Sequence, residues 1–283
     1  MQLSEVKREG GRSMSTHHSF STEDPKIEDA RVVILDLHDG GQVPREVPAL
    51  VRHTQEMRDY VTVERDRGIA CMQKTLLERI PGSIAIHVHV SRGIVDANRN
   101  PPFALSLPFS ENVSSRLMQR HSQIQRAIRA ILSRSNIKVV IDLHSMSPKT
   151  PLAPVPQTTT ETLSEHVAYW MEAQKSGTNR SIDLCDSSED GSLIGNRRLA
   201  ECIGYHLEQA GFPSVFNKPY AKSVKHHPVD FTQDRGVSVD FPKDLVAGGI
   251  GQQFSLLNSR PSMRKIMALI DPIEQSIRQY LSD

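Results

Sequence analysis

Arg31-Val-Val-Ile-Leu-Asp-Leu-His38 is almost continuously apolar and β-branched, and it stops at Asp39-Gly40-Gly41. Such a run is expected for a strand covered on both faces, with the two glycines opening a loop. About a hundred residues later the pattern returns as Ile137-Lys-Val-Val-Ile-Asp-Leu-His144. Between the two, Ile84 to Val90 (IAIHVHV) alternates like a strand, and Asn100-Pro101-Pro102 ends the stretch that follows it. Ser214 to Asn217 and Val237 to Phe241 read as further strands. Helical spacing is found over Asp66 to Ile80, Ser110 to Ser135, His166 to Ala173, Leu193 to Ala210 and Ile266 to Leu281. Gly211 is the expected C-cap of the fourth of these helices. The Pro- and Thr-rich stretch 148–165 and residues 174–192 read as loops. Strands alternating with helices predict an α/β fold with a mostly parallel or mixed central sheet and helices on both faces. The expected organisation is a flexible tail over residues 1–28 and a single α/β domain over 29–283, with ordered structure starting near Arg31.

Composition narrows the function classes. The chain has 283 residues, of which 34 are basic and 33 acidic, so charge argues for neither nucleic acid nor an anionic membrane surface as a partner. Its three cysteines, Cys71, Cys185 and Cys202, form no C-x-x-C pair, which points to a reducing compartment rather than a disulfide framework. No apolar run approaches the roughly 18 residues of a membrane helix. The start of the chain has no apolar core of a secretory signal. Lys7, Arg8 and Arg12 followed by serines suit a mitochondrial presequence, but Glu5, Glu9, Glu23 and Asp24 do not, so a cytoplasmic setting is expected.

The chemistry gathers at strand ends. Leu35-Asp36-Leu37-His38 and Ile141-Asp142-Leu143-His144 each finish an apolar strand with Asp-Leu-His. Loops at the C-terminal edge of a parallel sheet form the crevice where ligands bind, so His38 and His144 are expected to converge on one metal, Zn²⁺ or another divalent ion. Each Asp precedes its His by two residues and shares its face, which suits a carboxylate that orients the imidazole or holds a nearby loop. A catalytic zinc takes three protein ligands and keeps one open position. Asp66 is the first candidate for the third ligand, Glu64 the second and Asp59 the third, the competing role for Asp66 being a helix N-cap.

Other residues are candidates for substrate contact. Arg99, with Asn98 beside it, offers a planar fork for a small-molecule carboxylate; the competing role is a surface arginine paired with Asp96. Asn217 and Tyr220, in Asn217-Lys218-Pro219-Tyr220, are further candidates. Asp240 ends Val237-Ser-Val-Asp240 and would place a general base at the same edge. His87 and His89 share a strand face and read as half-buried rather than chelating, while one member of His226-His227 is a candidate proton donor.

Four segments in order, His38-Asp39-Gly40-Gly41 with Pro44, Val95-Asp96-Ala97-Asn98-Arg99-Asn100-Pro101, Ile141-Asp142-Leu143-His144-Ser145-Met146 and Asn217-Lys218-Pro219-Tyr220, resemble the N-formylglutamate amidohydrolase family. The match runs from about residue 31 to residue 250. The resemblance implies a phosphorylase/hydrolase-like fold of the zinc carboxypeptidase type. It also implies a zinc-activated water attacking the acyl carbon of an N-acyl amino acid. On this resemblance His38 and His144 are ligands, Arg99 anchors the substrate carboxylate, and Asp66 is similar to the family's acidic residue between them. The chain departs from the family where Ser238-Val239-Asp240 stands in place of a Gln-x-Glu strand. Asp is one methylene shorter than Glu, and a base misplaced by about 1 Å loses on the order of 100-fold in rate. Two alternatives follow: a non-catalytic relative that binds a carboxylate ligand in a degenerate site, and a metallohydrolase acting on another acyl group or a peptide.

Overall fold

The computed structural model describes residues 20–23, 27–101, 103–188, 191–218, 233–248 and 255–283. Residues 1–19, Pro102, Pro219, Tyr220, His226 and His227 lie outside the described residues. The strands are β1 (Phe20–Glu23), β2 (Val32–Asp36), β3 (Ser83–Val88), β4 (Val139–Met146), β5 (Lys149–Thr150), β6 (Thr178–Asn179), β7 (Ile182–Cys185), β8 (Ser214–Phe216), β9 (Gly236–Pro242), β10 (Ala247–Gly248) and β11 (Arg260–Pro261). The helices are α1 (Ala49–Arg52), α2 (Gln55–Glu64), α3 (Ile69–Arg79), α4 (Glu111–Leu132), α5 (Leu163–Ser176), α6 (Arg197–Gln209), α7 (Lys243–Val246) and α8 (Met263–Ser282).

Seven strands form one sheet in the order β1-β3-β2-β4-β9-β7-β8. Strands β3, β2, β4 and β9 run parallel, β1 is antiparallel to β3, and β7 is antiparallel to β9, so the sheet is mixed. The continuous apolar runs have the expected cause. Along β2, Val33 and Leu35 pack on one side with α2 and α4, while Val32 and Ile34 pack on the other with α3, α6 and α8. Side chains alternate faces, and both faces are covered, so each position from Val32 to Leu35 is apolar. The helices supply matching stripes. Leu117, Ile124, Ile128 and Ile131 on α4 and Ile266, Leu269, Ile270, Ile273 and Ile277 on α8 are buried at helical spacing.

From β2 the chain crosses through α3 to β3 on one side, and then through α4 to β4 on the other. The strand order therefore reverses between β2 and β4, which places a ligand crevice outside their C-terminal ends. His38 and His144 stand at those two ends.

Three differences from the sequence reading have local causes. Ordered structure begins before Arg31: Phe20–Glu23 pairs with the edge of β3, and Ile27–Asp29 forms a 3-10 turn. Residues 174–192 are not all loop, because β6 and β7 lie within them. The N-cap of α3 is Gly68 rather than Asp66. Gly68 has φ of +96°, and a Cβ there would stand 3.0 Å from Val246, a conformation and a closeness that favour glycine. Gly40 allows the other close approach, since a Cβ would lie 2.2 Å from the Val88 carbonyl oxygen. No helix among the described residues is long and apolar enough to cross a membrane.

Candidate active site

His38, Asp66 and His144 are buried together, with one ligand atom from each lying within 4.8 Å of the others. Their ring and carboxylate atoms are specific. Asp66 Oδ2 stands 3.5 Å from His38 Nδ1 and 3.2 Å from His144 Nδ1. Four ligands held tetrahedrally at about 2.1 Å from zinc are about 3.4 Å apart, so both separations suit that metal. Asp66 Oδ1 is buried without a hydrogen-bond partner among the described residues and faces Arg92 Nη1 at 3.5 Å. A donor set of two imidazoles and one carboxylate, with a spare buried oxygen, fits zinc or a similar divalent ion. Of the three acidic candidates the fold brings Asp66 here. Glu64 lines the same cavity but turns to His166, and Asp59 on α2 accepts from Gln55.

The far nitrogen of each imidazole is held by a carboxylate. His144 Nε2 lies 2.9 Å from Asp142 Oδ2, and His38 Nε2 lies 2.8 Å from Asp96 Oδ1. Each contact fixes the ring plane and leaves Nδ1 facing the cluster, the arrangement of carboxylate–histidine–metal triads. Asp36 does something else. It accepts from the backbone N–H groups of His38 and Asp39 and meets His87 Nδ1 at 2.6 Å. His87 and His89 are half-buried, with ring centroids 4.7 Å apart.

The cluster's electrostatics follow from this packing. Burial raises the Asp66 carboxyl, but hydrogen bonds from His144 and His38 and the Arg92 charge overcome it and hold the group well below the usual carboxylate range. Burial lowers His144, yet Asp142 and Asp66 together push it well above an ordinary histidine. Asp240 pairs in register with His144 across β4 and β9. Burial pushes it up to about 6; the His144 charge opposes the rise, and Asp66, Asp183 and Asp142 add to it. Burial also drives Lys243 down to about 8, against the pull of Asp66 and Glu64, and its ammonium donates to the Val63 carbonyl at 2.7 Å.

These groups open onto a cavity of about 880 Å³ that is also lined by Asn98 and Arg99. Asn98 Nδ2 lies 3.4 Å from His144 Nε2. The Arg99 side chain is 40 % exposed and lines the cavity while pairing with Asp96 at 3.1 Å, the competing role read from the sequence. Asn217 does not line the cavity. Its φ is 56°, and its side-chain amide accepts from the Asp186 and Ser187 N–H groups and donates to the Asp186 carboxylate.

Several cavity residues escaped the sequence reading. Arg92 places Nη1 3.1 Å from His38 Nδ1 and also faces Asp96 and Glu64. His166 meets Glu64 at 2.7 Å and Thr158 at 2.7 Å. Lys243 carried a signal, because it lies three residues beyond Asp240 at the same strand edge. The Asp96 contact carried none, since the side chain it holds is 58 residues away.

No family model matches the chain, and no curated protein matches it. Solved structures do. The crystal structure of N-formylglutamate amidohydrolase from Ralstonia eutropha JMP134 is similar with a TM-score of 0.59 and 14% identity, over 93% of this chain and 97% of that one. A gene product of Agrobacterium tumefaciens is similar with a TM-score of 0.52 and 16% identity, over 93% and 95% of the two chains. At these identities the likeness shows the fold alone: this chain shares the α/β architecture of these two proteins, a fold expected from its sequence.

Proposed function

We propose that this chain is a metal-dependent amidohydrolase that cleaves the amide bond of an N-acyl amino acid. The observation that carries the reading is the His38–Asp66–His144 cluster, with both imidazoles pinned from behind by carboxylates, at a cavity that also holds Asn98, Arg99 and Asp240. Bound to those three residues, a zinc ion or another divalent metal supplies Lewis acidity to the acyl carbonyl and lowers the pKa of water.

The remaining steps belong to the chain's own side chains. Arg99 and Asn98 bind the carboxylate of the amino acid and fix the scissile amide over the cluster. Asp240, held near 6 by burial, takes the proton of the attacking water and returns it to the departing amine nitrogen as the C–N bond breaks. Arg92, which lines the cavity beside Asp66, is the guanidinium that would donate to the acyl oxygen as negative charge develops there. N-formylglutamate is the first substrate to try, on the strength of the sequence motifs and the shared fold.

The test is metal content combined with hydrolysis of N-acyl amino acids. Purified protein is expected to hold one equivalent of metal, to lose it in His144→Ala, and to lose amide hydrolysis with it. A wild-type protein without stoichiometric metal, or a His144→Ala variant with undiminished hydrolysis, defeats the proposal. Asp240→Glu separates an enzyme from a binding relative: a loss of rate marks Asp240 as the working base, whereas a gain marks a site degraded at that position.

A further inference from the structure

The cavity is large for the substrate suggested by the motifs, and part of its wall is apolar. Its volume of about 880 Å³ is near the top of the roughly 300–1,000 Å³ range that houses drug-sized ligands, and a small polar molecule such as N-formylglutamate leaves most of it unfilled. Three separate segments turn apolar side chains to it. Phe103, Leu105 and Phe109 follow the Asn98–Arg99 pair, Val155 comes from the Pro- and Thr-rich stretch, and Trp170 comes from α5. The 148–165 stretch, which read from sequence only as a loop, thus contributes to the wall.

Charge argues the same way. Three cationic side chains line the cavity among the described residues: Arg92, Arg99 and Lys243. Arg92 already faces Glu64, Asp66 and Asp96, and Lys243 is buried with its ammonium on the Val63 carbonyl. Arg99 is the exposed one, and it suits one carboxylate rather than the two of an N-acyl glutamate.

We infer that the ligand of this cavity joins a single carboxylate to a large apolar body, an aromatic or medium-chain group, received by the wall that includes Phe103, Phe109 and Trp170. The inference rests on the amidohydrolase reading for the carboxylate anchor and the scissile amide, but not for the apolar wall. Burial of each added methylene strengthens binding, and two suffice for about tenfold.

Trp170 is the chain's single tryptophan, so its fluorescence reports binding without any turnover. The experiment titrates the zinc-loaded full chain with N-octanoylglycine, N-formylphenylalanine and N-formylglutamate, and follows amine release in parallel. At least one of the two apolar ligands is expected to bind about tenfold or more tightly than N-formylglutamate. In Phe103→Ala, at a half-exposed position outside the core, the tighter apolar ligand is expected to weaken severalfold, and by a larger factor than N-formylglutamate. Equal or tighter binding of N-formylglutamate than of both apolar ligands overturns the inference, as does a fluorescence signal that none of the three moves. Preferential apolar binding without release of amine leaves the inference standing and removes the hydrolase reading. Preferential binding and cleavage of N-formylglutamate does the reverse.

Discussion

The same tripeptide, Asp-Leu-His, ends β2 and β4, and the two copies are wired differently. At β4, Asp142 holds the ring of His144, with Oδ2 2.9 Å from Nε2. At β2, Asp36 makes no such contact with His38; it accepts backbone N–H groups at the start of the loop and meets His87, while Asp96 takes His38 Nε2. The cause is the length of the strand. β4 runs on to Met146, so Asp142 and His144 are alternate residues of extended chain and share a face. β2 stops at Asp36, and the backbone turns before His38. The period-2 rule fails where the extended conformation ends, and a carboxylate from a distant loop takes its place. Both routes reach the same result, an imidazole with Nε2 fixed and Nδ1 toward Asp66.

Asp66 is the residue the two halves share, so changing it has the largest effect. Asp66→Asn is expected to eliminate stoichiometric metal and reduce amide hydrolysis below detection, read by metal analysis and a released-amine assay. Retention of a full equivalent of metal would show that the two histidines do not depend on a common carboxylate.

Next comes Asp240, the proposed base beside the β4 copy. Asp240→Asn is expected to lower kcat by about 10²–10⁴-fold while leaving the metal in place. The sign of the pH dependence follows from the raised carboxyl. As the proposed base, Asp240 acts only when deprotonated; burial raises its carboxyl to about 6 and a bound dication lowers it, so kcat/KM of the metal-loaded protein is expected to fall along an acid limb at or below about pH 6. A pH–rate profile that kept the same acid limb in Asp240→Asn would assign the limb to another group.

The two ring-holding carboxylates are expected to matter alike, despite their different origins. Asp142→Ala and Asp96→Ala should each weaken metal binding by about 10–100-fold, measured by competition with a chelator. A tenfold weakening from one and none from the other would break the equivalence of the two wirings.

Much of this was legible in the sequence because the responsible interactions are local. Unbroken apolar runs mark strands buried on both faces, and the repeated Asp-Leu-His marks two ends at one edge. The α/β class and the histidine pair follow from such patterns, whereas Asp66 was only the first of three acidic candidates, chosen for its place at a helix start. What was not legible depends on pairing across the chain. β1, Phe-Ser-Thr-Glu, has no period of its own and exists because β3 offers it an edge. β7 has only four residues between polar flanks and is fixed by β9 and β8 on either side. The Asp96–His38 contact and the Glu64–His166 pair join residues 58 and 102 positions apart, with nothing in either neighbourhood to announce them. Arg92 approaches His38 only once its loop is folded over the strand end.

The smallest effect on the metal is expected where the sequence suggested a ring-orienting carboxylate and the fold did not supply one. Asp36 is fully buried and spends its oxygens on two backbone donors and His87. Replacing it by alanine leaves those buried donors unsatisfied, which costs about 1–3 kcal/mol of stability. The ring of His38 keeps its contact with Asp96, so metal affinity should fall far less in Asp36→Ala than in Asp142→Ala. Urea denaturation of the metal-free protein reads the first quantity and chelator competition the second. Equal losses of metal affinity in the two variants would mean that the loop Asp36 secures, and not the carboxylate behind the ring, is what fixes the imidazole. The distinction drawn from the length of the two strands would then carry no chemical consequence.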